Sequence, residues 1–377
     1  LLILIIFSIY SSILIYKDNL LFKRFVFIFI SLSLFSYLFL IISYNNNLNV
    51  AKPKNSDDII FPDKINNKKE NIYFFILDAM QPIREFEKHY KVNKKDFLSY
   101  VEKKNYKYIH DTVNNYNNTP HSLSALFYLD KIFNKEGKLN EKSKILFPSV
   151  LRKSNKPDLL RVLDNLGYEF KWIGNFFALC PKFNIDYCLN KNSNSIIDSY
   201  LYINFFRQSP LIQSISSLGK VFNYDFDKNI YFKVNNGMGR LTNYLRESYK
   251  SENKKTFYFI HNMSPHWPYI TNEDCSYKKY PGNKNFNGYK SAYLCNLKRI
   301  KETIQFLDEF DPNSTVIFQS DHNWHMSKNR KERQMIFNLV KINEKCNLDK
   351  NVSWNNVNTL RLVFSCMTGN DPKYIED

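Results

Sequence analysis

Two uncharged runs open the chain, residues 1–16 and 25–44, with Lys17, Asp18, Lys23 and Arg24 between them. The second is long enough to cross a bilayer as a helix, and the first is shorter than a usual span. The first begins at Leu1 and not at a methionine, so it reads as a truncated span with further chain upstream. Residues 1–44 are therefore expected to be two transmembrane segments. A secretory signal peptide would carry a cleavage site and no second span. A buried helical hairpin is the other alternative, but runs this rich in Phe, Leu and Ile rarely sit in soluble cores. The three cations of the connecting loop favour the cytoplasm and place Asn45 onward on the extracytoplasmic side, an asymmetry weakened by Lys52 and Lys54.

A polar stretch rich in Asn, Lys and Asp follows over residues 45–70 and reads as a flexible linker. From Asn71 the pattern changes to short apolar runs alternating with amphipathic stretches. Strands are predicted over 72–77, 168–173, 256–260 and 315–319, and helices over 158–166 and about 289–310. Strands alternating with helices predict an α/β domain over 71–377, with a mainly parallel central sheet flanked by helices. No internal repeat is visible.

Three predicted strands end in chemistry. The run Ile72-Tyr73-Phe74-Phe75-Ile76-Leu77 ends in Asp78, and Thr256-Phe257-Tyr258-Phe259-Ile260 ends in His261, followed by Pro265-His266-Trp267-Pro268-Tyr269. The third, from Thr315 to Ser320, ends in Asp321-His322. In open α/β sheets functional groups gather past the carboxyl ends of strands, so these side chains can assemble one metal site from distant parts of the chain. Any one of them alone would read as an ordinary turn. A fourth element is Asn118-Thr119-Pro120-His121-Ser122-Leu123, where Pro120 lies near a predicted helix start. Thr119 there is either an N-cap or a hydroxyl placed at the positive end of a helix.

Charge and cysteine refine this picture. The 377 residues carry 53 Lys+Arg against 36 Asp+Glu, a net charge of +17, so a basic nucleic-acid binder is one class to weigh. The cations are scattered through every segment and form no stripe, which argues for a solvated surface, one suited to anionic lipid or polymer. All six cysteines follow residue 170, in three near pairs: Cys180 with Cys188, Cys275 with Cys295, and Cys346 with Cys366. An even, locally paired set reads as three disulfides in an oxidising compartment. Zinc ligation competes weakly, since no C-x-x-C spacing occurs.

Taken in order, the strand ending in Asp78, Asn118-Thr119-x-x-Ser122, Pro265-His266-Trp267-Pro268-Tyr269 and Gln319-Ser320-Asp321-His322 resemble the sulfatase-like branch of the alkaline phosphatase superfamily. The layout of spans, linker and extracytoplasmic domain is similar to that of lipoteichoic acid synthases and bacterial phosphoethanolamine transferases. The match covers roughly residues 71–365; Leu159 to Asn175 and Asn358-Thr359-Leu360 also fit it. The resemblance implies that Asp78, Thr119, Asp321 and His322 hold one divalent metal, that Thr119 is the nucleophile, and that His266 contacts the anionic group of the substrate. Zinc, manganese, magnesium and calcium are not distinguished by this ligand set. His325 reads equally as a substrate contact or as an exposed loop histidine.

Departures narrow the expectation. The last of the 7 histidines, His325, lies only three residues beyond His322, which favours one metal over two. No Cys/Ser-x-Pro-x-Arg formylglycine motif surrounds Thr119, which argues against a true sulfatase. The glycine that often follows the Asp-His pair is absent from Asp321-His322-Asn323-Trp324.

The reading is a metal-dependent phosphotransferase or hydrolase, anchored in a bacterial-type cytoplasmic membrane with its catalytic domain on the periplasmic side. It would move a phospholipid head group onto an envelope glycan or to water. A sulfuric ester hydrolase is the alternative within the superfamily. A catalytically silent glycan- or lipid-binding membrane protein is the alternative from another class. The expected partners are the lipid bilayer and an anionic lipid or glycan, with no nucleic acid.

Overall fold

Strand β1 (Ile72–Leu77) is the central strand of the sheet, and all six of its side chains are buried. The computed structural model describes Leu20, Arg24 and residues 70–152, 156–174, 186–189, 236–248, 255–278, 286–324, 330–342 and 354–375. The chain divides into two units, Leu1–Asn55 and Ser56–Asp377, and every element below belongs to the second. Among the described residues no helix is long and apolar enough to cross a membrane. The predicted spans, and the linker up to residue 69, lie outside the described residues; of residues 1–69 only Leu20 and Arg24 are described, and both are helical.

In chain order the elements are β1, α1 (Ile83–Tyr90), α2 (Lys95–Lys103), β2 (Lys107–Tyr108), α3 (Thr119–Tyr128), α4 (Asp158–Asn165), β3 (Tyr168–Ile173) and β4 (Tyr187–Cys188). They continue with α5 (Gly237–Ser248), β5 (Lys255–Asn262), α6 (Phe286–Phe310), β6 (Thr315–Ser320), α7 (Arg330–Gln334), β7 (Asn338–Lys341) and α8 (Asn358–Thr368). The seven strands run in the order β2-β7-β6-β1-β5-β3-β4. Pairs β6/β1, β1/β5, β5/β3 and β3/β4 are parallel; β7 is antiparallel to both β6 and β2. The sheet is thus mixed, parallel through its middle and antiparallel towards one edge.

Both faces of the sheet are covered, which is why its strands read as unbroken apolar runs and do not alternate with polar residues. Successive side chains of a strand point to opposite faces. Ile72, Phe74 and Ile76, with Phe257, Phe259, Phe170 and Trp172, pack against Leu123 and Phe127 of α3, Leu160 and Leu163 of α4, and Leu360 and Phe364 of α8. Tyr73, Phe75 and Leu77, with Tyr258, Ile260 and Phe318, pack against α1, α2, α5 and α6 through Phe86, Phe97, Leu241, Tyr293 and Ile304. Aromatic pairs stack across this second face, Tyr73 on Tyr258 at 4.8 Å and Phe75 on Phe318 at 4.5 Å between ring centroids. Pairs of this kind add roughly 0.5–1.5 kcal/mol beyond area burial.

One close approach fixes α5 against β5. A Cβ on Gly237 would come within 2.9 Å of Ile260 Cγ2 and 3.2 Å of the His261 carbonyl. The Gly237 amide donates to Asn262 Oδ1 at 2.9 Å, which ties the helix start to the strand end that carries His261.

Cys275 and Cys295 are joined by a disulfide. Cys188 and Cys366 are also disulfide-bonded, while Cys180 and Cys346 lie outside the described residues.

Candidate active site

The parallel register of the three central strands brings their carboxyl ends to one line. Ile76 pairs with both His261 and Gln319, so Asp78, His261 and Asp321 emerge within a few residues of each other at one sheet edge. One ligand atom from each of these three lies within 4.8 Å of the other two, and all three residues are buried. His261 Nε2 is 3.3 Å from Asp78 Oδ2.

His322 stands at the centre of this cluster. Its Nε2 is 3.4 Å from Asp78 Oδ1, 3.6 Å from Asp321 Oδ2 and 3.4 Å from Thr119 Oγ1. Its Nδ1 lies 2.8 Å from the Asn323 carbonyl, which can only accept, so the proton of the neutral ring sits on Nδ1 and Nε2 offers a lone pair to the cluster.

Asp321 is oriented through its other oxygen. Oδ1 accepts from the backbone amides of Ala79 at 3.1 Å and His322 at 2.8 Å. Ala79 sits in the left-handed region at φ 59°, a conformation that costs a non-glycine residue about 1–2 kcal/mol. Three hydrogen bonds hold that turn: the Ala79 amide to Asp321, Tyr289 OH to the Ala79 carbonyl at 2.9 Å, and Ser320 Oγ to the Met80 carbonyl at 2.7 Å.

Thr119 is placed by its neighbour. The N-cap of α3 is Asn118, whose Oδ1 accepts from the His121 amide at 2.9 Å, and Thr119 is the first helical residue. Of the two readings of Thr119 in the sequence, the N-cap one is therefore corrected. Asn118 takes the capping bond and leaves the Thr119 hydroxyl directed at His322. Asn114 braces the same helix against the β6 end, donating to Ser122 Oγ at 2.8 Å and to the Asp321 carbonyl.

The electrostatics follow from two buried carboxylates beside three imidazoles. Burial by itself would raise Asp78, but the neighbouring His266 and hydrogen bonds from His261 and His322 hold it well below the usual carboxylate range. Asp321 goes up, through burial and the adjacent Asp78 charge. Burial opposes protonation of His322, yet the Asp321 and Asp78 carboxylates outweigh it and push its pKa up to about 9. In the metal-free chain an imidazolium proton thus occupies the place between the two acids.

The donor set fits a divalent cation. Asp78 Oδ1 and Asp321 Oδ2 are buried without a hydrogen bond of normal geometry, His322 Nε2 lying 3.4 and 3.6 Å from them, and a cation would supply the shorter interaction that they lack. The separations from His322 Nε2 are close to the edge of a tetrahedron with bonds of ~2.0–2.1 Å, which is about 3.3–3.4 Å. Carboxylate, imidazole and hydroxyl donors suit zinc or manganese alike.

His266 lies on the loop after β5, half-buried, with its ring centroid 6.2 Å from that of His322 in an edge-on arrangement. His325 falls outside the described residues. The structure thus brings together Asp78, Thr119, Asp321, His322 and His266. His261, visible in the sequence as a strand end, joins them although the motif resemblance gave it no role. Asn114 carried no sequence signal amid so many asparagines, and Asn118 stood in the Thr119 motif without a role of its own.

No family model and no curated protein matches the sequence. Solved structures do match in fold. The C-terminal periplasmic domain of EcEptC from Escherichia coli, in complex with Zn, aligns at a TM-score of 0.52 and 14% identity, over 81% of this chain and 84% of that one. The lipoteichoic acid synthase LtaP from Listeria monocytogenes aligns at a TM-score of 0.50 and 14% identity, over 87% of this chain and 77% of that one. The chain shares the fold of these two proteins.

Proposed function

We propose that the chain is a membrane-anchored, metal-dependent enzyme that transfers or hydrolyses phosphate esters through Thr119. The observation that carries this reading is the approach of Thr119 Oγ1 to within 3.4 Å of His322 Nε2, which itself faces the Asp78 and Asp321 carboxylates. Asp78, Thr119, Asp321 and His322 would hold one divalent ion, with His261 beside Asp78 as a further donor or its support. When bound, such an ion favours ionisation of a hydroxyl near neutral pH and neutralises charge on a phosphoryl group.

The residues of the chain supply the rest. As the first residue of α3, Thr119 lies where the helix dipole favours negative charge on its oxygen. A bond forms from Thr119 Oγ1 to phosphorus as the bond from phosphorus to the leaving alcohol breaks, giving a phosphothreonine ester. Attack on that phosphorus by an acceptor hydroxyl or by water restores Thr119. His266, half-buried at the rim, donates Nδ1–H to the Trp267 carbonyl at 2.6 Å, so beside the phosphoryl group its Nε2 would accept the proton of the attacking acceptor hydroxyl or water.

The uncharged runs at 1–16 and 25–44 and the cations between them support a membrane anchor with the domain on the extracytoplasmic side. The Cys275–Cys295 disulfide supports an oxidising compartment. In that setting the donor is a phospholipid and the acceptor an envelope glycan. LtaP is described as a lipoteichoic acid synthase and EcEptC as having a periplasmic domain, which agrees with this placement. The test is turnover of bis(p-nitrophenyl) phosphate by the metal-loaded chain, with p-nitrophenyl sulfate in parallel. Phosphodiester turnover that disappears in Thr119→Ala supports the reading; preference for the sulfate ester would replace it with sulfatase chemistry.

A further inference from the structure

Thr119 reaches the cluster by a different route from its acidic and imidazole neighbours. Asp78, His261 and the Asp321-His322 pair follow adjacent strands, so the hydrogen-bond ladders β1/β5 and β1/β6 fix their spacing. Thr119 begins a helix that packs on one face of the sheet through apolar side chains such as Leu123 and Phe127. Apolar packing is non-directional, and it does not by itself set how far the Thr119 oxygen stands from the end of β6.

One side chain spans that gap. Asn114 is 1% exposed, and its Nδ2 donates twice, to Ser122 Oγ at 2.8 Å and to the backbone carbonyl of Asp321. Ser122 lies one turn along α3 from Thr119, and Asp321 is itself a candidate ligand next to His322. The two hydrogens of a single planar amide therefore join the helix that carries the hydroxyl to the strand end that carries the ligands.

The bridge is itself held in place. The Asn114 backbone amide donates to the Gln334 carbonyl at 2.6 Å, and its Oδ1 accepts from the Tyr116 amide at 3.1 Å. The Asp321 carbonyl can only accept and the Tyr116 amide can only donate, so the partners fix which end of the Asn114 amide carries the nitrogen. From the other side Asn356 Nδ2 reaches both the carbonyl and Oγ of Ser122, each at 3.3 Å. Asn118 settles where α3 begins, whereas Asn114 settles where α3 stands relative to β6.

We propose that Asn114 is a positioning residue: acting through Ser122 and the Asp321 backbone, it keeps the Thr119 oxygen within reach of a divalent ion held by Asp78, Asp321 and His322. This role rests on the function proposed above. Without the bridge the three ligands keep their places in the sheet, and Thr119 alone is released. The ion is then retained with one protein oxygen fewer.

Cobalt(II) absorption tests this apart from turnover, because the visible spectrum of the ion follows the number and geometry of its ligands. The full chain is loaded with cobalt in neutral detergent. Thr119→Ala is expected to keep the metal and to change the spectrum. Asn114→Leu, which preserves the shape of the side chain without its donors, should keep the metal and change the spectrum in the same direction. With bis(p-nitrophenyl) phosphate its kcat should fall about tenfold or more while KM stays within about twofold. A merely structural role would lower the melting temperature and leave both the spectrum and kcat of the folded chain as they are. Ser122→Ala cuts only the helix side of the bridge and carries the test if Asn114→Leu does not fold; it should shift the spectrum the same way and lower kcat about threefold. A wild-type spectrum and kcat in folded Asn114→Leu or Ser122→Ala would overturn the proposal. So would a wild-type spectrum in Thr119→Ala, which would leave Asn114 no ligand to hold. Turnover that persists in Thr119→Ala while its spectrum changes would sink the catalytic reading and leave the positioning role standing.

Discussion

His322 Nε2 lies 3.4 Å from Asp78 Oδ1 although the two residues are 244 positions apart in the numbering, because parallel strands β1 and β6 end side by side. That pairing places the Nε2 of an imidazole between two buried acids. Removing either acid leaves the cluster short of a donor and the other acid without its partner. Asp321→Ala and His322→Ala are expected to lose bound divalent metal as measured by plasma mass spectrometry. His261→Asn is expected to keep part of it, since His261 stands beside Asp78 and further from the Thr119 side of the cluster. Full metal content in Asp321→Ala would remove this site assignment.

Metal removal should reshape the pH dependence of stability. The His322 pKa rises from 6.5 to about 9 in the folded metal-free chain, which contributes on the order of 3 kcal/mol. A raised folded value means that this contribution is complete below pH 6.5 and is lost as the pH climbs through 9. Asp321, also raised, has the same sign at lower pH. The melting temperature of the chelator-treated chain should therefore fall between pH 6.5 and 9, while that of the metal-loaded chain stays level, because the cation replaces the imidazolium proton. Parallel profiles with and without metal would contradict this.

Capping of α3 is expected to matter for catalysis as well as for stability. Asn118→Ala removes the bond from the His121 amide and should cost about 1 kcal/mol. It also frees the helix start that aims Thr119 at His322, so turnover should fall about tenfold. Asn118→Ser, which keeps a capping oxygen, should recover most of both. Equal activity in Asn118→Ala would separate the cap from the nucleophile.

The Cys275–Cys295 bond closes a loop of 20 residues and should contribute about 3 kcal/mol by restricting the unfolded chain. The double substitution Cys275→Ser with Cys295→Ser is expected to lower the denaturant midpoint. Metal content should stay close to that of the wild type, since no metal-site residue lies between the two cysteines. Loss of metal in the double variant would contradict that separation.

Much of this was readable from the chain because the central strands are buried on both faces. Such strands leave continuous apolar runs, and β1, β3, β5 and β6 lie within two residues of their expected bounds. Strand β7 escaped notice: it has four residues, and its first, Asn338, is a buried polar side chain that donates to Thr112 and Thr359. Asp78, Asp321 and His322 were legible as polar residues ending apolar strands. Thr119 was ambiguous because a cap and a nucleophile occupy adjacent positions at a helix start, and only the Asn118 hydrogen bond separates them.

The central claim is that Thr119 becomes covalently phosphorylated. Metal-loaded chain, mixed with phospholipid vesicles, quenched in acid and digested, can be analysed by peptide mass spectrometry. The account predicts an added phosphoryl or phosphodiester mass on the peptide containing Thr119, absent from Thr119→Ala and from the chelated chain. Steady turnover of the same lipid without an adduct on Thr119, and unaltered in Thr119→Ala, would contradict it.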